Sequence, residues 1–195
     1  MHSENELGYQ TRSDGFGILY GEIAGALIER CGRNGMGIVR KAVAAYGKKK
    51  GKRLREQYMG SGVRTDLHNL MAAEDGCWKD PRTLKTTVRD TPEAQLWEIY
   101  SCPLEKNWRD RGREEAGRLY CEEYLHALMD GYGEGAGQAN VSNSKTCRRD
   151  DRCVMAMYCR TANQNETQKG TGDGNGIIRE IPVEESTLLL YRCFI

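Results

Sequence analysis

Residues 96–103 have the sequence LWEIYSCP, and this stretch decides the fold. Its aromatic and β-branched residues favour an extended strand, and Pro103 ends that strand because proline cannot continue the ladder of hydrogen bonds. A second β-prone run, TTV at 86–88, precedes it, and the turn sequence DTP at 90–92 lies between the two runs. The two runs therefore predict a β-hairpin near the middle of the chain.

Apolar residues at helical spacing surround this hairpin on both sides. Three helices are predicted before it and one after it, followed by two further strands around a polar turn. The predicted helices cover 17–30, 38–58, 65–75 and 112–129, and the two later strands cover 138–146 and 152–160. The sequence therefore predicts an α+β fold in which N-terminal helices precede a β-β-α-β-β unit, with an antiparallel sheet packed on helices.

A length of 195 residues suits one domain with a sizeable core. Residues 1–15 are polar and are expected to form an N-terminal extension. Residues 16–160 carry the periodic patterns and are expected to form the α+β domain. Residues 161–195 begin with a Gly-rich, almost wholly polar stretch, which predicts a linker and a C-terminal tail.

Charge and hydropathy exclude several classes of function. The 29 basic and 28 acidic residues nearly cancel, so we expect no binding to nucleic acid. No apolar run approaches the ~20 residues that a membrane-spanning helix needs, and the N-terminus lacks the pattern of a signal peptide. We therefore expect a cytoplasmic protein without a membrane partner, whose partner is a small-molecule substrate. A homo-oligomer is left open.

Eight cysteines in a chain that is not exported are expected to be thiols rather than four disulfides. Cys102 lies at the end of the predicted strand, where alternation puts it on the same face as Glu98. Cys153 lies on a later strand and shares a face with Met155, Met157 and Cys159. A thiolate at a strand end beside a long helix suits nucleophilic chemistry, so Cys102 is the first candidate and Cys153 the second.

The predicted long helix carries a second set of candidates. Glu122, His126 and Asp130 are four residues apart and share one helix face, where an imidazole between carboxylates suits a base or an oriented metal ligand. The alternative is a solvated face of salt bridges. No CxxC pair is present, so the cysteine spacing matches no common zinc template, and the ligands of any divalent metal are unknown. The basic run KKKGKRLR at 48–55 is interpreted as a solvated helix face.

Several short motifs follow one another along the chain. They are RNG at 33–35, the helix ending in Tyr46-Gly47 and followed by Gly51 and Arg55, LWEI at 96–99 with Cys102-Pro103, LYC at 119–121, DGY at 130–132 and DRC at 151–153. In their order and spacing these motifs resemble the L-2-amino-thiazoline-4-carboxylic acid hydrolase family over roughly residues 20–160. The chain differs from the family pattern at Lys50, where an Arg is expected, and at Gly133-Glu134, where Asn-Pro is common.

The resemblance implies hydrolysis of a cyclic amidine by attack at the carbon between sulfur and nitrogen, which expels the sulfur and yields N-carbamoyl-cysteine. Cys102 or Cys153 would then attack as a thiolate, His126 would move protons, and Glu98 or Glu122 would orient or activate water. The substrate carboxylate needs a cation. Arg40, Arg53 and Arg55 are assigned to it, and further substrate contacts are assigned to Tyr46, Cys121, Asp130 and Tyr132.

Two alternatives stay open at the level of sequence. In the first, water is the nucleophile and a divalent metal is held by Cys, His and carboxylate ligands, although no cofactor is certain. In the second, the same Cys-lined pocket belongs to a small-molecule binding or sensor domain that carries out no turnover.

Overall fold

The structure is a computed structural model that describes residues 4–73, 76–142, 152–164 and 181–195. Five α-helices and a four-stranded antiparallel sheet make up this part of the chain, which confirms the predicted α+β class. The helices are α1 (Glu4–Gly60), α2 (Leu67–Ala73), α3 (Pro103–Asp110), α4 (Glu114–Gly133) and α5 (Val183–Tyr191). The strands are β1 (Leu84–Thr91), β2 (Ala94–Ser101), β3 (Gly137–Ser142) and β4 (Cys153–Cys159), and single 3-10 turns occur at Gly76–Trp78 and Thr161–Asn163.

The range α1 contains two helical segments, which correspond to the first two predicted helices and meet at Gly32. Gly32 has a φ of 53° and a ψ of −128°, which suit glycine because a side chain would be strained there. Residues 4–15, expected to be a polar extension, form the first turns of this helix. Both halves pack on α4, since Tyr20 donates a hydrogen bond of 2.8 Å to the carbonyl oxygen of Ala116 and Tyr46 stacks on Tyr124.

Glycines allow α1 and α4 to approach closely. A Cβ atom added at Gly47 would lie 2.7 Å from the carbonyl oxygen of Tyr124, and one at Gly51 would overlap the carbonyl of Leu128. In the opposite direction, a Cβ at Gly131 would overlap the carbonyl of Lys48. The sequence therefore sets the spacing of these two helices by omitting side chains at their contact.

The sheet has the strand order β1-β2-β4-β3, and every neighbouring pair is antiparallel. The predicted hairpin is confirmed as β1 and β2, and β4 inserts beside β2 with Ile99 opposite Cys153. Trp97, Ile99, Cys153 and Met157 point into the core that the helices cover. The shared face predicted for Cys153, Met155, Met157 and Cys159 is consistent with their burial against the core.

The predicted face of Cys102 is wrong. Strand β2 ends at Ser101, and Cys102 is the N-cap residue of α3, which the sequence did not predict. Pro103 ends the strand, as expected, but it also suits the first helical position, where its missing N–H costs nothing. Cys102, whose backbone is still extended, packs against the core, whereas Glu98 lies on the outer, half-exposed face of the sheet.

The C-terminal tail docks on the helices. Ile181, Ser186 and Leu190 are buried, and Arg53 on α1 pairs with Glu185 on α5. The predicted turn at 148–151 and most of the Gly-rich stretch lie outside the described residues. In the described part of the chain, none of the helices is long and apolar enough to cross a membrane. The predicted domain boundaries stay a prediction.

Candidate active site

One cavity opens between both halves of α1, α3, α4 and α5, and it encloses about 720 Å³ of space free of protein atoms, its open mouth included. A concave space lined mainly by apolar and aromatic side chains with a few polar groups is typical of a small-molecule site. The described residues that line it are Arg12, Ser13, Phe16, Tyr46, Lys50, Cys77, Trp78, Cys102, Leu104, Trp108, Tyr120, Cys121, Tyr124, Leu125, Met155, Val183 and Ser186.

Aromatic side chains form most of the wall. The rings of Tyr46 and Tyr120 both stack on that of Tyr124, with centroids 5.4 and 5.0 Å away. Phe16 meets Tyr120 edge to face at 5.7 Å, and Trp108 is fixed by a 2.8 Å hydrogen bond from its indole nitrogen to the carbonyl oxygen of Gly17. Such a wall offers flat apolar surfaces on which a small planar ring can stack.

Cys102 lies in this wall at the N-terminus of α3. The hydrogen bond from Cys77 lowers the pKa of the Cys102 thiol below its ordinary value. Burial opposes this effect, and the backbone N–H groups of Glu105 and Leu104 add to it. Both kinds of donor stabilise the thiolate, as does the positive end of the helix dipole. A thiol with these neighbours and access to a cavity has the environment of a reactive cysteine.

Cys77 connects Cys102 to a cation. The ammonium nitrogen of Lys85 on β1 lies 3.9 Å from the ring centroid of Trp97 and 5.6 Å from that of Trp78. Burial lowers the pKa of Lys85, and the negative form of Cys77 opposes that shift. The charge of Lys85 therefore favours a thiolate at Cys77.

Lys50 and Arg12 are the charged residues among those that line the cavity. Lys50 is only 2% exposed, and its ammonium nitrogen lies 5.6 Å from the ring centroid of Tyr124 and 6.0 Å from that of Tyr46. Arg12 is exposed, at the rim. The described lining includes two cations and neither Asp nor Glu, so its positive charge can balance a thiolate at Cys102.

Three of the residues singled out from the sequence are brought together here, namely Cys102, Tyr46 and Cys121. Cys153, the second candidate nucleophile, is buried in the core opposite Ile99 and is not among the lining residues. The two candidate thiols therefore have different surroundings. Cys102 lines the cavity, whereas Cys153 is buried in the sheet.

The acid and base candidates lie elsewhere. Glu98 accepts a 2.7 Å hydrogen bond from Tyr100 and pairs with Arg152 at 3.2 Å on the outer face of the sheet. Glu122 pairs with arginines, His126 is exposed, and Asp130 pairs with Lys48 at 2.8 Å. On this face of α4 the arrangement is that of a solvated face with ion pairs, and none of these residues lines the cavity.

The three arginines assigned to the substrate carboxylate also lie outside the cavity lining. Arg40 pairs with Glu122 at 2.7 Å and with Glu123, and Arg53 pairs with Glu185. Arg55 is buried, but it donates to the carbonyl oxygen of Tyr132 at 3.3 Å and approaches Glu134 at 3.4 Å.

Tyr132, assigned to the substrate, is buried away from the cavity lining as well. Its hydroxyl donates a 2.9 Å hydrogen bond to the carbonyl oxygen of Asp66, and its ring packs edge to face on Tyr58. In the parts of the chain that the structure describes, no group of three or more His, Cys, Asp and Glu side chains is close enough to hold a metal ion. A metal stays an untested prediction.

Sequence reasoning missed Lys50, Cys77 and Arg12. Lys50 carried a usable signal, because positions 43, 46, 50 and 54 follow helical spacing, and the other three are buried apolar or aromatic residues. A lysine in phase with a core stripe is not part of a solvated face. Cys77 and Arg12 gave no such signal, since only the tertiary packing brings them to the cavity.

The fold and the cavity together define an α+β protein whose aromatic pocket has three cysteines and two cations among its described lining residues. A family model described as L-2-amino-thiazoline-4-carboxylic acid hydrolase matches residues 16–155. The chain belongs to this family, which confirms the resemblance seen in its sequence motifs. No curated protein and no solved structure matches the chain.

Proposed function

We propose that this protein is a hydrolase that opens a small cyclic amidine ring, such as L-2-amino-thiazoline-4-carboxylate, with Cys102 as the nucleophile. The name of the family indicates this kind of reaction. The single observation that carries the role of Cys102 is its thiol, which has a lowered pKa and lines the aromatic cavity at the N-terminus of α3. The thiolate is the form that attacks an electrophilic carbon, and a lowered pKa increases the thiolate fraction at a given pH.

In the first step, the Cys102 thiolate forms a bond to the ring carbon between sulfur and nitrogen. The tetrahedral centre collapses, the bond from that carbon to the ring sulfur breaks, and the ring opens. The departing sulfur takes a proton, for which the Cys77 thiol is suited because it hydrogen-bonds to Cys102. The product of this step is an isothiourea that joins the opened substrate to Cys102, with Cys77 left as a thiolate near Lys85.

In the second step, water adds to the same carbon. One proton of the water goes to the former ring nitrogen, and its hydroxyl stays on the carbon. The hydroxyl then becomes a carbonyl as its proton passes to the Cys77 thiolate and Cys102 leaves as a thiolate. The enzyme is thereby restored, and the substrate has gained one water molecule to become N-carbamoyl-cysteine with a free thiol.

This scheme uses Cys77 where the sequence suggested His126, Glu98 or Glu122. Its support is local, because Cys77 and Cys102 line one cavity and are hydrogen-bonded, whereas the other three belong to outward faces. A thiol can both give and accept a proton near neutral pH when neighbouring charges lower its pKa, as general acid–base catalysis requires.

The test is turnover of L-2-amino-thiazoline-4-carboxylate by metal-stripped wild-type protein and by Cys102→Ser and Cys153→Ser, followed as release of free thiol. We expect release by the wild type and by Cys153→Ser, provided that the latter folds, and its loss in Cys102→Ser. Turnover that survives in Cys102→Ser and needs an added divalent metal would instead support the metal-bound water mechanism. Binding without any release of thiol would support a binding or sensor domain.

A further inference from the structure

We infer that Lys50 is the residue by which this pocket selects a ring that carries a carboxylate over the same ring without one. This inference rests on the proposed function for its choice of substrate. Its physical basis is independent of turnover, because it concerns a buried cation in the wall of the cavity.

Positive charge in the lining favours an anionic ligand. Among the described residues that line the cavity, Lys50 and Arg12 are cationic and none is Asp or Glu, so one positive charge remains beside a Cys102 thiolate. A cation in an aromatic, largely dehydrated site attracts an anion more strongly than the same cation does in water. An anionic ligand is therefore favoured in this cavity, and a neutral ligand of the same shape lacks that attraction.

The position of Lys50 on α1 places its side chain in the wall of the cavity. Lys50 lies one helical turn after Tyr46 on α1, so its side chain follows the same stripe into the protein. Its ammonium group is close to the rings of Tyr46 and Tyr124, which attract a cation through their π faces. Lys48 and Lys52 on the same helix have side chains that are 66% exposed, and they pair with Asp130 and Glu56.

Lys50 and Cys102 are placed to contact different parts of one substrate. Cys102 and Lys50 come from different elements, α3 and α1, and both line the same space. A substrate with its carboxylate at Lys50 and its ring among the tyrosines can present its electrophilic carbon to Cys102. The exposed Arg12 at the rim adds a second cation on the path of an entering anion.

The experiment compares Lys50→Met with Lys52→Met, a matched removal of one lysine two residues further along the same helix. Two substrates are used: L-2-amino-thiazoline-4-carboxylate and 2-amino-thiazoline, the same ring without the carboxylate. For Lys50→Met we expect KM for the carboxylate to rise about 10- to 100-fold, since a hydrogen bond to a charged group is lost. We expect kcat to change little, because the interaction is present in both ground and transition states.

The preference of the wild type for the carboxylate over the plain ring should therefore fall sharply in Lys50→Met and stay in Lys52→Met. Lys50→Arg keeps the charge and should retain most of the preference. An unchanged preference in a folded Lys50→Met protein would overturn the inference.

A second readout separates this inference from the proposed reaction. Binding of 2-amino-thiazole-4-carboxylate, an aromatic ring that resists hydrolysis, is followed by the fluorescence of Trp78 and Trp108, which line the cavity. If the protein shows no turnover but binds this anion tighter than its carboxamide, and Lys50→Met removes the difference, the inference stands and the proposed function fails. Equal affinity of the wild type for anion and carboxamide would overturn the inference without any variant.

Discussion

The two faces of helix α4 differ in what they contact, although their residues alternate along one short stretch of sequence. The inner face carries Tyr120, Cys121 and Tyr124, which line the cavity. The outer face carries Glu122 and His126, of which the first forms ion pairs with arginines and the second is exposed. The residues with the most familiar catalytic chemistry are thus on the solvated face, and the cavity is built from tyrosines and thiols.

This difference teaches that side-chain chemistry on a helix has to be weighed together with its phase. A His between two acids at a spacing of four has the composition of a catalytic set, but the same spacing also makes a stripe of surface ion pairs. The apolar stripe next to it decides which face is buried, and only that face can contribute to a dry site.

The largest expected effect compares a cavity residue with an outer-face residue. Cys102→Ser should lower kcat for ring opening on the order of 10³-fold or more, because it removes the nucleophile. His126→Ala should leave kcat within about 2-fold, because an exposed side chain away from the cavity takes no part in the chemistry. Steady-state release of thiol measures both, and a comparable loss in the two variants would contradict the assignment of the inner face.

The next effect concerns the contact between α1 and α4. Gly131→Ala should lower the free energy of unfolding by about 1–3 kcal/mol, because the added methyl group overlaps the carbonyl of Lys48. Gly37→Ala is the matched control within α1, since nothing lies within 4 Å of its added Cβ. It should raise stability by about 0.5–1 kcal/mol. Urea unfolding measures both, and an unaffected Gly131→Ala protein would show that the helices are further apart.

A smaller effect concerns the thiol pair. The lowered pKa of Cys102 means that its thiolate persists to lower pH than in the unfolded chain, so alkylation should become fast below the range of an ordinary cysteine. Cys77→Ala removes the main stabilising hydrogen bond while burial still opposes the charge. The pKa of Cys102 should therefore rise, and its alkylation profile should move to higher pH.

Mass spectrometry of the peptide that contains Cys102 follows this alkylation, and Cys31→Ala serves as the control because Cys31 is exposed. A profile that does not move in Cys77→Ala would mean that the backbone N–H groups of α3 alone set the reactivity.

The smallest effect belongs to the outer face. Arg40→Met breaks the ion pairs of Arg40 with Glu122 and Glu123, and all three of these side chains are partly exposed. It should change the free energy of unfolding by no more than about 1 kcal/mol, and this difference should shrink at high salt. Binding of a carboxylate ligand should be unchanged. Weaker binding by Arg40→Met would instead support the assignment of Arg40 to the substrate carboxylate.

The sequence predicted the elements well where periodicity or turn residues were strong. The hairpin around 90–92, the helix over 112–129 and the two later strands all occur, and their described ends lie within a few residues of the predicted ones. Positions 143–146 of the first later strand lie outside the described residues. Helix α3 was missed because its eight residues follow directly on a strand, and Cys102-Pro103 gave the same signal for a strand end and for a helix start. The strand order was not predictable, since it depends on which long-range pairing buries the most apolar surface.

Only those cavity residues that carried a signal in the sequence could be predicted. Cys102 was found because it ends a strand, and Tyr46 and Cys121 because they belong to motifs that resemble the family. For the cation, the sequence favoured arginine because of its chemistry with carboxylates, whereas the described cavity lining contains Lys50 and Arg12 rather than Arg40, Arg53 or Arg55. Cys77 could not be found from the sequence, because it reaches Cys102 through the packing of a short turn against the start of α3.

The most direct test of the role of Cys102 is to trap the covalent intermediate. Wild-type protein is mixed with L-2-amino-thiazoline-4-carboxylate, quenched with acid during turnover, digested and analysed by mass spectrometry. The proposed mechanism predicts that the peptide containing Cys102 gains the mass of one whole substrate molecule, and that Cys102→Ser shows neither this adduct nor release of thiol. Turnover that continues in Cys102→Ser, with no adduct on the wild type, would contradict it.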